Sequence, residues 1–166
     1  TAEGLDLIAQ AAELGVKVFV ITGGDPLTRP DVLELIAAVR ESGMHCGFSP
    51  SVTKRLTPAR LGEAVAAGAA SIHLSLDGAT AETHDAFRGV PGSFARALAA
   101  IEHVATLDTR LQIATSVSRQ TVGDLPAIPP LIAGRVSLWS LFFLVPTGRA
   151  SREQLLSAEE HERTLR

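Results

Sequence analysis

Val16-Lys17-Val18-Phe19-Val20-Ile21-Thr22-Gly23-Gly24-Asp25-Pro26 is the stretch that decides the fold. Its first six residues form a short apolar run rich in β-branched side chains. Such a run predicts a strand buried on both faces, as in a parallel sheet. The Gly-Gly-Asp-Pro that follows predicts a turn out of that strand. Upstream, Ala2 to Leu14 places Leu5, Ile8, Ala9 and Ala12 near helical spacing, and Gly15 is a stop signal. Downstream, Pro30 and Asp31 start a helix whose stripe is Val32, Leu35, Ile36 and Val39, ended by Gly43.

The same unit repeats along the chain. Strands are expected at His45 to Ser49, Ser71 to Leu76, Leu111 to Val117 and Val136 to Val145. Helices are expected from the Thr57 cap to about Gly68, at Ala81 to Phe87, at Ser93 to about Thr106, and at Asp124 to Ile132. Strands alternating with helices give βαβ units and a parallel α/β sheet. Five strands fall short of an eight-fold barrel, which needs about 250 residues. The expectation is therefore a partial parallel barrel. The chain opens on a helix, so the strand that should precede it is expected to be missing. Residues 1–150 read as one core, and 151–166 as the start of a truncated C-terminal connection with no obvious closing element.

The chain has 166 residues, with 15 basic and 18 acidic side chains and a formal net charge of −3. That balance gives no electrostatic reason to expect a nucleic acid or an anionic membrane as partner. No apolar run approaches the ~18 residues of a spanning helix, and no signal-like segment opens the chain. The single cysteine, Cys46, excludes an internal disulfide framework. A cytoplasmic location is the default expectation.

In parallel α/β folds, ligands bind at the carboxyl ends of the strands. Those ends carry Thr22-Gly23-Gly24-Asp25-Pro26, Ser49-Pro50-Ser51 with Thr53, Ser75-Leu76-Asp77-Gly78, Thr115-Ser116 and Pro146-Thr147-Gly148-Arg149. The opposite turns carry mostly capping glycines, so one polar rim is expected. Gly23-Gly24 leaves room for a ligand to approach the backbone, or is a plain strand-to-helix turn. His73, Ser75 and Asp77 alternate along one strand. That spacing cannot form a hydrolytic triad, and no G-x-S-x-G elbow is present. Arg88, in a glycine-rich connection, could hold a carboxylate by a bidentate pair or could be solvated. His84 and Asp85 read as polar helix surface. The histidines and Cys46 lack metal-ligand spacing, so no metal site is expected from this chain alone.

Three segments together resemble the radical-SAM superfamily, in order and with the right spacing. Val18 to Pro26 resembles its strand and "GGEP" loop. Ile72-His73-Leu74-Ser75-Leu76-Asp77-Gly78 resembles its "SLDG" strand. His84-Asp85-Ala86-Phe87-Arg88-Gly89 through Gly92-Ser93-Phe94 resembles the "hd.fRg..gsf" segment of members with a SPASM-type extension. The resemblance covers about residues 2 to 150 and implies a partial, TIM-barrel-like (β/α)6 barrel that binds S-adenosylmethionine (SAM). It further implies a [4Fe-4S] cluster, an external electron donor, and a peptide or small-molecule substrate of peptide or haem-pathway maturation. By position it implies that Gly23, Gly24, Asp25 and Pro26 hold the amino group of SAM. Ser75 would reach its carboxylate or ribose, Asp77 would be a further cofactor-binding residue, and Arg88 would pair with the carboxylate. Ser49 or Ser51 would contact substrate or cofactor, and Thr115 and the Leu144-Val145 segment would lie near ribose and adenine.

The sequence departs from the family at the cluster. The C-x-x-x-C-x-x-C loop that would supply three thiolates is absent, and Cys46 lies too late to be one of them. No catalytic residue is therefore assigned in these residues. Truncation is the expected explanation, and the chain alone is expected to be inactive. Asp25 stands where the family usually has Glu. The alternative reading is a cluster-free module on the same fold that binds a nucleoside or a partner.

Overall fold

The computed structural model describes residues 1–147 and 150–165. Gly148 and Arg149, expected at the last strand end, lie outside the described residues, as does Arg166. The strands are β1 (Val18–Ile21), β2 (His45–Phe48), β3 (Ala69–Ser75), β4 (Arg110–Val117) and β5 (Leu138–Phe143). They lie in the order β1-β2-β3-β4-β5, and every neighbouring pair is parallel. This is a parallel half-barrel, as the alternation of strands and helices predicts.

The helices are α1 (Ala2–Glu13), α2 (Val32–Glu41), α3 (Pro58–Ala67), α4 (Ala81–Arg88), α5 (Ser93–Val104), α6 (Pro129–Ile132) and α7 (Ala158–Leu165). Local chemistry sets several of their ends. Thr57 and Thr80 cap α3 and α4 through their hydroxyls, which accept from Arg60 N–H and Thr83 N–H. Gly68, at φ 121°, ends α3 and leads directly into β3.

Helices cover one face of the sheet, and the core lies between. Ile36 of α2, Phe48 of β2, Ile72 of β3 and Leu61 of α3 are at most 1% exposed. Each such side chain contributes roughly 1.5–3 kcal/mol by burial. Alternate residues of β4 (Leu111, Ile113, Thr115 and Val117) point into this core.

Two expectations about elements change. The helix expected at Asp124 to Ile132 is instead a 3-10 segment, Val122–Ala127, followed by the single turn of α6. Pro126, Pro129 and Pro130 break the α-helical hydrogen-bond ladder there. The C-terminal residues close in α7, begun by a reciprocal cap. Ser157 Oγ accepts from Glu160 N–H, and Glu160 Oε2 accepts from Ser157 N–H at 2.6 Å. The His161 ring of α7 stacks on Phe143 of β5 at 4.7 Å. Among the described residues, no helix is long and apolar enough to cross a membrane.

Candidate cofactor-binding cleft

At the carboxyl ends of β1, β2 and β3 lies a cleft of about 380 Å³, lined by Thr22, Gly23, Gly24, Ser49, Ser75 and Arg88, with the Pro50 to Thr53 segment, Val90 and Ser93. Three separate loops meet there because a parallel sheet brings the ends of successive strands together. Gly23 has φ 136°, which only glycine adopts readily. Gly24 has no atom within 4 Å of where a Cβ would stand, so its backbone is open to a ligand.

The loop is braced from below. Asp25 Oδ1 accepts from Leu27 N–H at 3.1 Å, and Asp25 Oδ2 accepts from Thr53 Oγ1 at 2.9 Å. Ser51 Oγ donates to the Gly24 carbonyl at 2.7 Å. Pro26 is buried beneath and starts a 3-10 turn. Asp25 therefore acts as a cap and a tie, and Thr53, which the sequence reading did not assign a role, is its partner. By contrast, the hydroxyls of Thr22, Ser49 and Ser75 have no hydrogen-bond partner among the described residues. They are free to meet a ligand.

Arg88 is the last residue of α4. Its Nε donates to Asp77 Oδ2, while neither Nη has a protein partner among the described residues. Asp77 is fully buried, and Oδ1 also accepts from Ser116 N–H at 2.7 Å. Asp77 N–H in turn donates to His84 Nδ1 at 3.0 Å. Asp77 thus does not line the cleft; it orients the arginine that does. The expectation that Asp77 continues the face of His73 and Ser75 fails because β3 ends at Ser75 and the chain turns inward.

His84 is 1% exposed rather than on the surface as expected, because its ring packs against Phe94 at 5.9 Å. Burial pulls its pKa below the usual value. Nδ1 accepts a hydrogen bond, so the proton sits on Nε2, which is buried without a partner. Asp85 accepts from Phe94 N–H at 2.7 Å, from Gly92 N–H and from Ser93 Oγ. These bonds, led by that from Phe94, hold its pKa below the usual carboxylate value and close the loop after Arg88.

Thr115 and Val145 are not brought to the cleft. Thr115 points to the helix side of β4, where Oγ1 donates to the Leu76 carbonyl at 2.6 Å and accepts from Trp139 Nε1 at 2.8 Å. Val145 is 64% exposed beyond β5.

The cleft suits an amino-acid zwitterion. Open backbone and hydroxyl oxygens stand on one side, and free guanidinium nitrogens stand on another. An iron–sulfur cluster is not served by these residues. The Cys46 thiol is 1% exposed on the helix side of β2, and burial pushes its pKa up to about 11. Among the described residues, no three His, Cys, Asp or Glu side chains are grouped to hold a metal ion.

A parallel half-barrel with a polar cleft at the carboxyl ends of its strands is the architecture of a class of α/β enzyme cores that bind small ligands there. Residues 1–120 match the Radical SAM superfamily, and the chain belongs to it. This is a family of enzymes that use SAM and a [4Fe-4S] cluster. An AdoMet-dependent heme synthase of Methanosarcina barkeri is 38% identical over 167 residues, covering 99% of this chain and 47% of that protein. An Fe-coproporphyrin III synthase of the same organism is 33% identical over 170 residues, covering 99% and 42%. The crystal structure of Streptococcus suis SuiB superposes with a TM-score of 0.83 at 14% identity, covering 99% of this chain and 38% of that one. SuiB has also been solved bound to S-adenosylmethionine. The chain thus spans less than half the length of the curated relatives it matches.

Proposed function

We propose that this chain is the SAM-binding half of a radical-SAM enzyme that acts on a tetrapyrrole. The observation that carries the reading is the cleft itself, with the open Gly23-Gly24 backbone facing the free nitrogens of Arg88. In this reading the loop and the Thr22 hydroxyl receive the ammonium of the methionyl group, and the Arg88 Nη atoms hold its carboxylate. Ser49 and Ser75 offer hydroxyls to the remaining polar atoms. SAM, when bound there and reductively cleaved, would supply the radical chemistry for hydrogen-atom abstraction from a substrate. The chain's own residues orient the cofactor and shield it from water. Cys46 is buried away from the cleft, so a [4Fe-4S] cluster serving this site would need other thiolates than this chain's own and an external electron donor. Tetrapyrrole chemistry is favoured by the heme synthase and the Fe-coproporphyrin III synthase named above, each of which matches 99% of the chain.

The test is anaerobic incubation of the full-length protein with SAM and a strong reductant, with chromatography for 5′-deoxyadenosine and methionine. Cleavage that depends on Arg88 and is stimulated by an iron coproporphyrin is the expected result. A reconstituted protein that binds SAM yet never cleaves it would leave the cluster-free binding module as the better account.

A further inference from the structure

The half-barrel has a concave face with chemistry of its own. A Cβ placed on Gly47 would meet the His73 ring at 3.1 Å and Val20 at 3.2 Å, so these positions share that face. His73 sits on the central strand, one pleat below Ser75 of the cleft. Its Nε2 lies 2.9 Å from Ser71 Oγ, which fixes the ring. Nδ1 has no partner among the described residues, and the side chain is half-buried. Gly47 is what makes room for the imidazole.

The surroundings select for an anion. None of the five strands contains Asp or Glu, although the chain has 18 acidic residues. Strand alternation and register place His45 and Arg110 on the face that carries His73. The edges of that face are apolar and open, with Val20 40% exposed on β1 and Phe142 61% exposed on β5. Four strand spacings of ~4.8 Å give a surface roughly 19 Å across along the sheet. Burial, and then the neighbouring His45, lower the pKa of His73, so its imidazole is neutral near pH 7. In the tautomer where Ser71 donates to Nε2, Nδ1–H points out as a donor.

We infer that the concave face receives a flat, apolar, carboxylate-bearing substrate, and that His73 is the residue that selects for its carboxylate through a hydrogen bond from Nδ1. This rests on the tetrapyrrole reading above and adds a recognition group to it. A histidine serving only the core would have both nitrogens satisfied or sealed, whereas here one is tied and one is open.

The test uses the full-length protein and two probes, coproporphyrin III with its four carboxylates and the tetramethyl ester of the same ring. Binding is followed by porphyrin fluorescence, with SAM affinity read in parallel as the folding control. The wild type should prefer the acid. His73→Ala should lose about tenfold in affinity for the acid and little for the ester. His73→Gln, which keeps an N–H donor, should recover part of the loss. Gly47→Ala, which presses a methyl group onto the ring, should weaken acid binding while leaving His73 in place. Equal affinity for the acid in wild type and His73→Ala, or an equal loss on acid and ester, overturns the role of His73 while porphyrin binding keeps the tetrapyrrole reading. A wild type that binds neither porphyrin overturns both.

Discussion

Asp77 holds Arg88 from beneath: a carboxylate with no solvent exposure accepts from the Nε of a guanidinium whose outer nitrogens face the cleft. The partially exposed cation is thereby turned into a fixed one. Ser116 N–H and the His84 ring hold the Asp77 segment in turn, so β3, β4 and α4 all act on one cleft side chain.

Arg88→Ala should weaken SAM binding by about tenfold or more, since a charge-assisted hydrogen bond contributes about 1.5–3 kcal/mol. Arg88→Lys should not restore it, because an ammonium cannot bond Asp77 and a ligand carboxylate in the same fork. Titration calorimetry with SAM on the full-length protein measures both. Asp77→Ala should weaken binding as well, with Arg88 still present but unanchored.

Asp25→Glu tests the loop brace. A longer carboxylate cannot keep both the Leu27 cap and the Thr53 bond in place. The expected cost is ~1 kcal/mol in urea unfolding, with a few-fold weaker SAM binding. Thr53→Ala should produce a similar loss, and the double variant should cost less than the sum.

Acidification should weaken the fold in two stages. His84 and His73 have pKa values below the ordinary 6.5, so the unfolded chain binds protons first. Their stabilising contribution is complete above about pH 6.5 and declines as pH falls below it. Asp85 has a pKa below the ordinary 3.8, and its contribution, present above that value, is lost as pH falls further. Thermal unfolding across pH 3–8 should show both. His84→Gln should flatten the upper stage.

Phe48→Ala should destabilise by about 3–5 kcal/mol, because the ring is 0% exposed between sheet and helices. Circular dichroism in denaturant checks this. Val20→Ala, on the open concave face, should cost far less.

Cys46→Ala should leave the iron content of the full-length protein unchanged, since the thiol is buried away from the cleft. The 166-residue chain alone should yield no 5′-deoxyadenosine from SAM and reductant. Iron analysis and chromatography decide these two points.

The sequence by itself determined the alternation of strands and helices, and hence the parallel half-barrel and the end at which the polar loops collect. Strand periodicity and glycine stops are local signals, so the positions of β1, α2 and the Thr57 cap are legible from neighbouring residues. The expected burial of β1 on both faces is not met, because Val18 and Val20 stand 56% and 40% exposed on the concave face. The family resemblance groups Gly23-Gly24, Ser75 and Arg88, and the fold brings these residues to one cleft. The proline break before α6 and the Ser157–Glu160 cap are also written locally, in Pro126, Pro129 and Pro130 and in the Ser-x-x-Glu spacing. The facing of side chains was decided only by the tertiary structure. Thr115 and Ser116 are adjacent, and only the strand register turns the first into the core. Asp77 looked like a continuation of the Ser75 face until the end of β3 sent it inward to Arg88. His84 looked exposed until Phe94 packed over it. Such assignments depend on contacts between residues far apart in the chain, and no local pattern encodes which partner will be there.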